Sequence, residues 1–164
     1  MTGLTDYAGW LYGRPGMQEL LLGLQDEAGQ DVLLLLTACW LGQRRVKVDG
    51  QLWQSLHESQ EPWREQIIAP LRQVRRRLAG SAPTADLYEQ VKACELAAEW
   101  HQLSSLELLC QHATSTDAAL QACILAHLQC CCGGLDDPRL ERLATAASRS
   151  SAPWSPALRR FLRE

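Results

Sequence analysis

Lys92, Glu95 and Glu99 are the residues whose types and spacing first suggest chemistry. At i, i+3 and i+7 they share one side of a helix, in line with Leu103, Leu106 and Cys110. Charges that continue an apolar stripe are drawn out of water, and charges out of water need partners. Lys92 is spaced to pair with Glu95 along the helix, and Arg64, Arg72, Arg75 or Arg76 can supply a second partner. The plainest outcome is an ion network that fixes helix packing. The functional alternatives are a ligand or partner site formed by Lys92, Glu95, Glu99, Arg72 and Arg76, or acid–base chemistry at the carboxylates. Arg75 and Arg77 complete a dense run, Arg72-x-x-Arg75-Arg76-Arg77. Consecutive helical residues point in different directions, so this run is a collar, with Arg75 and Arg77 as candidate basic contacts for phosphate or an acidic protein. Its place near a helix C-terminus also suits cations through the macrodipole.

Other constellations resolve into packing. Cys123, His127 and Cys131 fall on one helical face beside Cys130 and Cys132, but one rigid helix cannot wrap a tetrahedron around zinc. Leu120 and Ile124 share that face, and a reduced cysteine behaves as a small core hydrophobe. A ferritin-like di-metal site needs Glu-x-x-His pairs, whereas Glu95, Glu99 and Glu107 are followed three residues on by Ala98, Gln102 and Cys110. Asp26 and Asp31 bracket the Gly29 turn; Asp31 suits a cap, and Asp26 near a helix end hints at a specific hydrogen bond. The chain contains no glycine-rich phosphate loop, no Ser/His/Asp order and no CxxC motif. No catalytic residue, metal or cofactor is expected.

The elements that position these residues centre on Asp31 to Gly42, where Thr37 is the only polar side chain between the two ends. The run is too short for the roughly 20 residues of a membrane span. Asp31 is a good N-cap and Gly42 a good C′ residue, and a helix apolar all round must be surrounded. Before it, a short helix carries Tyr7, Trp10 and Leu11 from a cap at Thr5 or Asp6. Gly13-Arg14-Pro15-Gly16 breaks the chain, and Met17, Leu20, Leu21 and Leu24 mark a second helix. After the basic connector 43–47, Asp49 caps a short helix with Trp53 and Leu56. Pro62 then opens another, with the stripe Trp63, Ile67, Leu71, Val74 and Leu78 and a kink at Pro70.

Thr84 caps the longest helix, to about Ala113. Leu87, Val91, Cys94, Ala98, Ser105 and Leu109 line one face of it, and Leu96, Leu103, Leu106 and Cys110 another, as if it lay between two layers. Thr114 to Asp117 reads as a capping box for the cysteine-rich helix, which closes at Gly133-Gly134. Asp137-Pro138 opens a last one with Leu140, Leu143, Ala144 and Ala147 inward. The expected division is a helical domain over 1–147, then a linker and short C-terminal helix over 148–164.

Three ordered blocks carry a family resemblance. They are Leu24-Gln25-Asp26 with Gly29, Asp31-Val32, Leu34-Leu35-Leu36 and Trp40-Leu41-Gly42; then Pro62-Trp63-Arg64, Pro70-Leu71-Arg72 and Arg75-Arg76; then Val91-Lys92-Ala93, Glu95-Leu96, Ala98-Glu99 and Gln102. Together they resemble the uncharacterised proteobacterial family known as domain of unknown function 2390, over about Asp6 to Leu109. The resemblance implies a small helical protein and brings no activity with it.

Composition sets the class. With 46% hydrophobic and 21% charged residues over 164 positions, the chain can bury a core. A net charge of −3 excludes a strongly basic nucleic-acid binder. Met1 to Asp6 lacks the basic start of a signal peptide, and seven cysteines without a framework spacing point to reduced thiols in the cytoplasm. Six tryptophans against one phenylalanine suggest boundaries between layers or interfaces. The expectation is an all-α, single compact multi-helix bundle around a buried central helix at about residues 31–42. Its expected role is a non-enzymatic, cytoplasmic protein–protein interaction or adaptor module, with another protein as partner and no membrane. A small-ligand-binding protein or enzyme with a Lys/Glu-lined pocket is the alternative, and a nucleic-acid- or ribosome-associated factor the weaker one.

Overall fold

Asp31 starts the central helix: its Oδ1 accepts the Leu34 N–H at 3.1 Å, and α3 runs over Val32–Gln43. A computed structural model of the chain describes residues 3–149. Ten consecutive residues of α3, Leu33 to Gly42, are buried, and Thr37, the polar one, donates its hydroxyl to the Leu33 carbonyl at 2.7 Å. Gly42 does not terminate the helix as a C′ residue. It is helical, and a Cβ there would lie 2.7 Å from the Ile124 nitrogen, so Gly42 is the point at which α7 approaches the α3 backbone. Arg45, at φ 54°, makes the left-handed turn after the helix instead.

The other elements are α1 (Leu4–Tyr12), α2 (Met17–Ala28), α4 (Gly50–Trp63), a π-helical turn (Arg64–Ile68), α5 (Ala69–Leu78), a 3-10 turn (Ala82–Thr84), α6 (Ala85–Leu109), α7 (Leu120–Cys131) and α8 (Pro138–Ser148). This is an all-α bundle around α3, which packs most extensively on α7 and also meets α1, α2, α4, α6 and α8. Asp49 and Asp137 cap α4 and α8 through Gln51 N–H and Arg139 N–H, both at 2.9 Å. α8 buries Leu140, Leu143, Ala144 and Ala147 as its spacing dictates. α1 opens earlier than a Thr5 or Asp6 cap implies, because the Glu107 carboxylate from α6 accepts the Leu4 N–H. No helix among the described residues is long and apolar enough to cross a membrane. The expected terminal helix falls in 150–164, outside the described residues.

Two expected helix starts are absent, each for a physical reason. Thr114 to Asp117 does not cap α7, which starts at Leu120 without a side-chain cap. Its backbone is committed to the connector after α3: Lys47 N–H donates to Thr114 O at 2.7 Å and Thr116 N–H to Arg45 O at 2.8 Å, around a Val46–Ser115 bridge. Pro62 likewise does not open a new helix. It lies inside α4, and the chain continues through the π turn into α5 without a break.

In that turn Ala69 N–H donates to Arg64 O, five residues back. Pro70 has no N–H and its ring crowds the preceding turn, so a wider loop is the local way to keep the helix going. The extra residue rotates the downstream helix by about 100°. Ile68, 3% exposed, therefore takes the inward position expected of Ile67, which is 37% exposed. Val74, also in the expected stripe, is 47% exposed, and α5 buries no residue at all.

The result is an arm. α5 packs chiefly on α6 and the π turn, and Thr84 joins the two helices by donating its hydroxyl to Leu78 O at 2.9 Å rather than by capping α6. α6 buries Glu95, Ala98, Gln102, Leu103 and Leu106. The face carrying Leu87, Cys94 and Leu109 is exposed at those three positions, while Ala98 on the same face is buried.

Candidate binding cleft

The arm forms one wall of a cleft of about 960 Å³, and α2, α3 and the π turn form most of the rest, with Tyr12 of α1 and Gln60 of α4. From α6 come Lys92, Glu95 and Glu99; from α5 come Arg72, Arg75 and Arg76. An interhelical ion network forms with two of the four candidate arginines, Arg72 and Arg75. Arg72 donates Nε to Glu95 at 2.8 Å and a terminal nitrogen to Glu99 at 3.1 Å, and Arg75 donates Nε to the second Glu95 oxygen. Both Glu95 oxygens are thus taken from across the helix pair, so Lys92 does not pair with Glu95. Arg64 goes elsewhere too, reaching Asp31 at 3.3 Å. Among the described residues Lys92 and Arg76 form no ion pair, and both line the cleft.

The basic collar divides. Arg75, a candidate outward contact from sequence, is turned into the network, and its bonds to Glu95 and Tyr88 raise its affinity for its proton. Arg77 is exposed and outside the cleft lining. Arg76 lines the cleft.

Glu95 is 6% exposed and doubly paired, whereas Glu99 holds a single arginine nitrogen. Burial is the main cause that lifts the Glu99 carboxyl to about 7; Arg72 pulls it down less than burial pushes it up, and Glu95 adds repulsion. Tyr12 of α1 lines the same cleft, its phenol raised by burial and then by Glu99.

The sequence reading missed the cleft floor. Asp31 accepts Gln60 Nε2 at 2.9 Å on the same oxygen that meets Arg64. Gln60 is buried, and its Oε1 has no donor among the described residues. Asp31 fixes the orientation of this amide, since a flip would set two acceptors face to face. A glutamine on an otherwise polar stretch of α4 carries no periodic signal that marks it as buried. Asp26, suspected of a specific bond, is exposed and meets only Gln25 at 3.4 Å.

A family model for a protein of unknown function, DUF2390, matches residues 4–106. The chain belongs to this family. The matched segment runs from α1 almost to the end of α6, so every residue lining the cleft, Tyr12 to Glu99, lies inside it. α7 and α8 lie beyond it. No curated protein and no solved structure matches the chain.

The cysteine-rich helix serves the core. Trp53 donates its indole N–H to His127 Nδ1 at 3.1 Å, and Nε2 donates to Val46 O at 2.7 Å. That leaves His127 neutral, its pKa lowered by burial. Cys123 donates to the same carbonyl at 3.3 Å, and all seven cysteines are free thiols. Burial raises the Cys110 thiol to about 11. Among the described residues no three His, Cys, Asp or Glu side chains converge as metal ligands. Trp10, Trp40 and Trp53 are buried as well, so much of the tryptophan content builds core and not an interface.

Proposed function

We propose that this protein is a non-enzymatic, cytoplasmic interaction module that holds a segment of a partner protein in the cleft between the α5–α6 arm and α2–α3. The carrying observation is the cleft itself: about 960 Å³, open to solvent, with charged side chains on the arm and Val32, Leu33 and Leu36 at its floor. An open cleft lined by both charged and apolar side chains suits a polypeptide segment, which presents both kinds of group. Free thiols throughout support a reducing compartment. A nucleic-acid role is weakened by the loss of Arg75 to Glu95, which leaves the collar without a continuous basic face.

Photo-crosslinking tests this reading. Gln73 is exposed and lines the cleft, while Gln51 on α4 is exposed away from it. A photoreactive residue at position 73 should capture a discrete protein partner in cells, and one at 51 should not. Equal capture at both positions, or none at 73, removes the proposal. One observation favours the enzymatic or small-ligand alternative: a carboxyl lifted to about 7 is poised to exchange protons at neutral pH. In that case native mass spectrometry of the purified protein should show a bound small molecule that is lost in Glu99→Gln.

A further inference from the structure

Granted the binding cleft proposed above, its chemistry specifies what it recognises. The arm wall sets four cations, Arg72, Arg75, Arg76 and Lys92, against two carboxylates, Glu95 and Glu99. Arg75 meets Glu95 through Nε and is also held by Tyr88. Arg76 and Lys92 have no ion-pair partner among the described residues. The wall therefore carries an excess of positive charge facing the cleft, and a Glu99 that is protonated part of the time adds to it.

We propose that the α5–α6 wall is a carboxylate-recognition site, with Arg76 and Lys92 as its open cations, and that it takes an acidic stretch of a partner polypeptide. Three observations favour carboxylates on a peptide over phosphate or a nucleic-acid backbone. The same wall already seats two carboxylates, at 2.8 Å and 3.1 Å from Arg72 nitrogens, so the stereochemistry of the complex is present in the fold. Asp26 and Glu65 also line the cleft and are exposed, which disfavours a dense polyanion while leaving room for spaced single charges. Gln60 Oε1, buried without a donor on the floor, needs an N–H that a peptide backbone carries and a phosphate does not.

Calorimetric titration with acetyl-Glu-Leu-Gly-Glu-amide, its Gln-for-Glu counterpart and inorganic pyrophosphate tests the site. The acidic peptide should bind, weaken as salt is raised, and outbind the Gln peptide by about tenfold. Arg76→Gln combined with Lys92→Gln should reduce its affinity by a similar factor, while Arg77→Gln, outside the cleft, should leave it unchanged. Unchanged thermal melting shows that the variants are folded, as expected for side chains that hold no ion pair. Equal binding of both peptides, pyrophosphate binding in place of the acidic peptide, wild-type affinity in the double variant, or no binding of any probe overturns the proposal. Crosslinking at Gln73 separates the two levels: a partner captured there together with charge-blind peptide binding removes the carboxylate site and leaves the binding cleft standing. Absence of that partner removes both.

Discussion

Glu95 and Glu99 stand one helical turn apart on α6 and differ in what their removal should do. Glu95 joins Arg72 and Arg75, so Glu95→Ala leaves Arg75 without a carboxylate and Arg72 with Glu99 alone. Both arginines keep some water contact, so the expected cost is about 2 kcal/mol, below the roughly 3–5 of a fully buried pair. A clear fall in melting temperature checks it. Glu99 is the opposite case. Its carboxyl is raised from 4.5 to about 7, which means the fold prefers its protonated form. The stability this group allows is fully present below about pH 4.5 and is lost as pH rises through 7. Glu99→Gln should therefore raise the melting temperature at pH 8, on the order of 1–3 kcal/mol, and change little at pH 4.5. Destabilisation at pH 8 would show that Arg72 depends on the Glu99 charge. His127 acts with the reverse sign: its lowered pKa makes stability complete above about 6.5 and diminishing as pH falls below it. Replacing Glu99 should accordingly leave the acid-side loss of stability in place.

At the scale of elements, two local features set helix positions. Gly42 lets α7 approach α3 at Ile124, and backbone atoms there cannot yield as a flexible side chain can. Gly42→Ala should separate the most extensive helix pair in the bundle and cost at least the roughly 1–3 kcal/mol of an overpacked core. A near-wild-type melting temperature would mean that the pair can slide. The π turn rotates α5 relative to α4. Deletion of Gln66 should remove the extra residue and close an α-helical turn, leaving Ile68 inward and Arg72 and Arg75 facing Glu95. A double-mutant cycle between Arg72 and Glu95 should then read a coupling close to the parent's, and a coupling near zero would show that the deletion had turned α5 away from α6.

Across the whole molecule, stability is unevenly distributed. α3 is buried over ten consecutive residues, while α5 buries none and packs chiefly on α6 and the π turn. Amide exchange should reflect this: Ala69–Leu78 exchanges early, and α3 and the facing part of α7 exchange only on global unfolding. Uniform protection across α3 and α5 would contradict an arm that opens independently. Ligands in the cleft should slow exchange in α5 most, since that wall has least support of its own.

Much of the architecture comes from neighbours along the chain. Asp31, Asp49 and Asp137 begin helices because an acidic side chain can reach the N–H groups just after it, and that geometry is local. An uncharged run such as Leu33 to Leu41 demands a shell whatever that shell consists of, and the inward set of α8 is dictated by its period. The spacing of Glu95 and Glu99 likewise places both carboxylates on one side of α6, whatever their partners. Partners are a different matter, since they depend on distance in space. Lys92 is the neighbour of Glu95 along the helix, but Arg72 and Arg75 come closer once α5 folds against α6. The one-residue widening ahead of Pro70 decides which arginines those are, because a hydrogen bond shifted by one residue rotates everything after it. Thr114 to Asp117 has the residues of a cap, yet a strand-like pairing with 45–47 claims its backbone first. Gln60 and Asp31 are far apart in sequence and meet only where α4 crosses the start of α3. The caps of α3, α4 and α8 and the inward face of α8 are short-range properties and could be read directly; the cleft is made of pairings that exist only after the helices have packed.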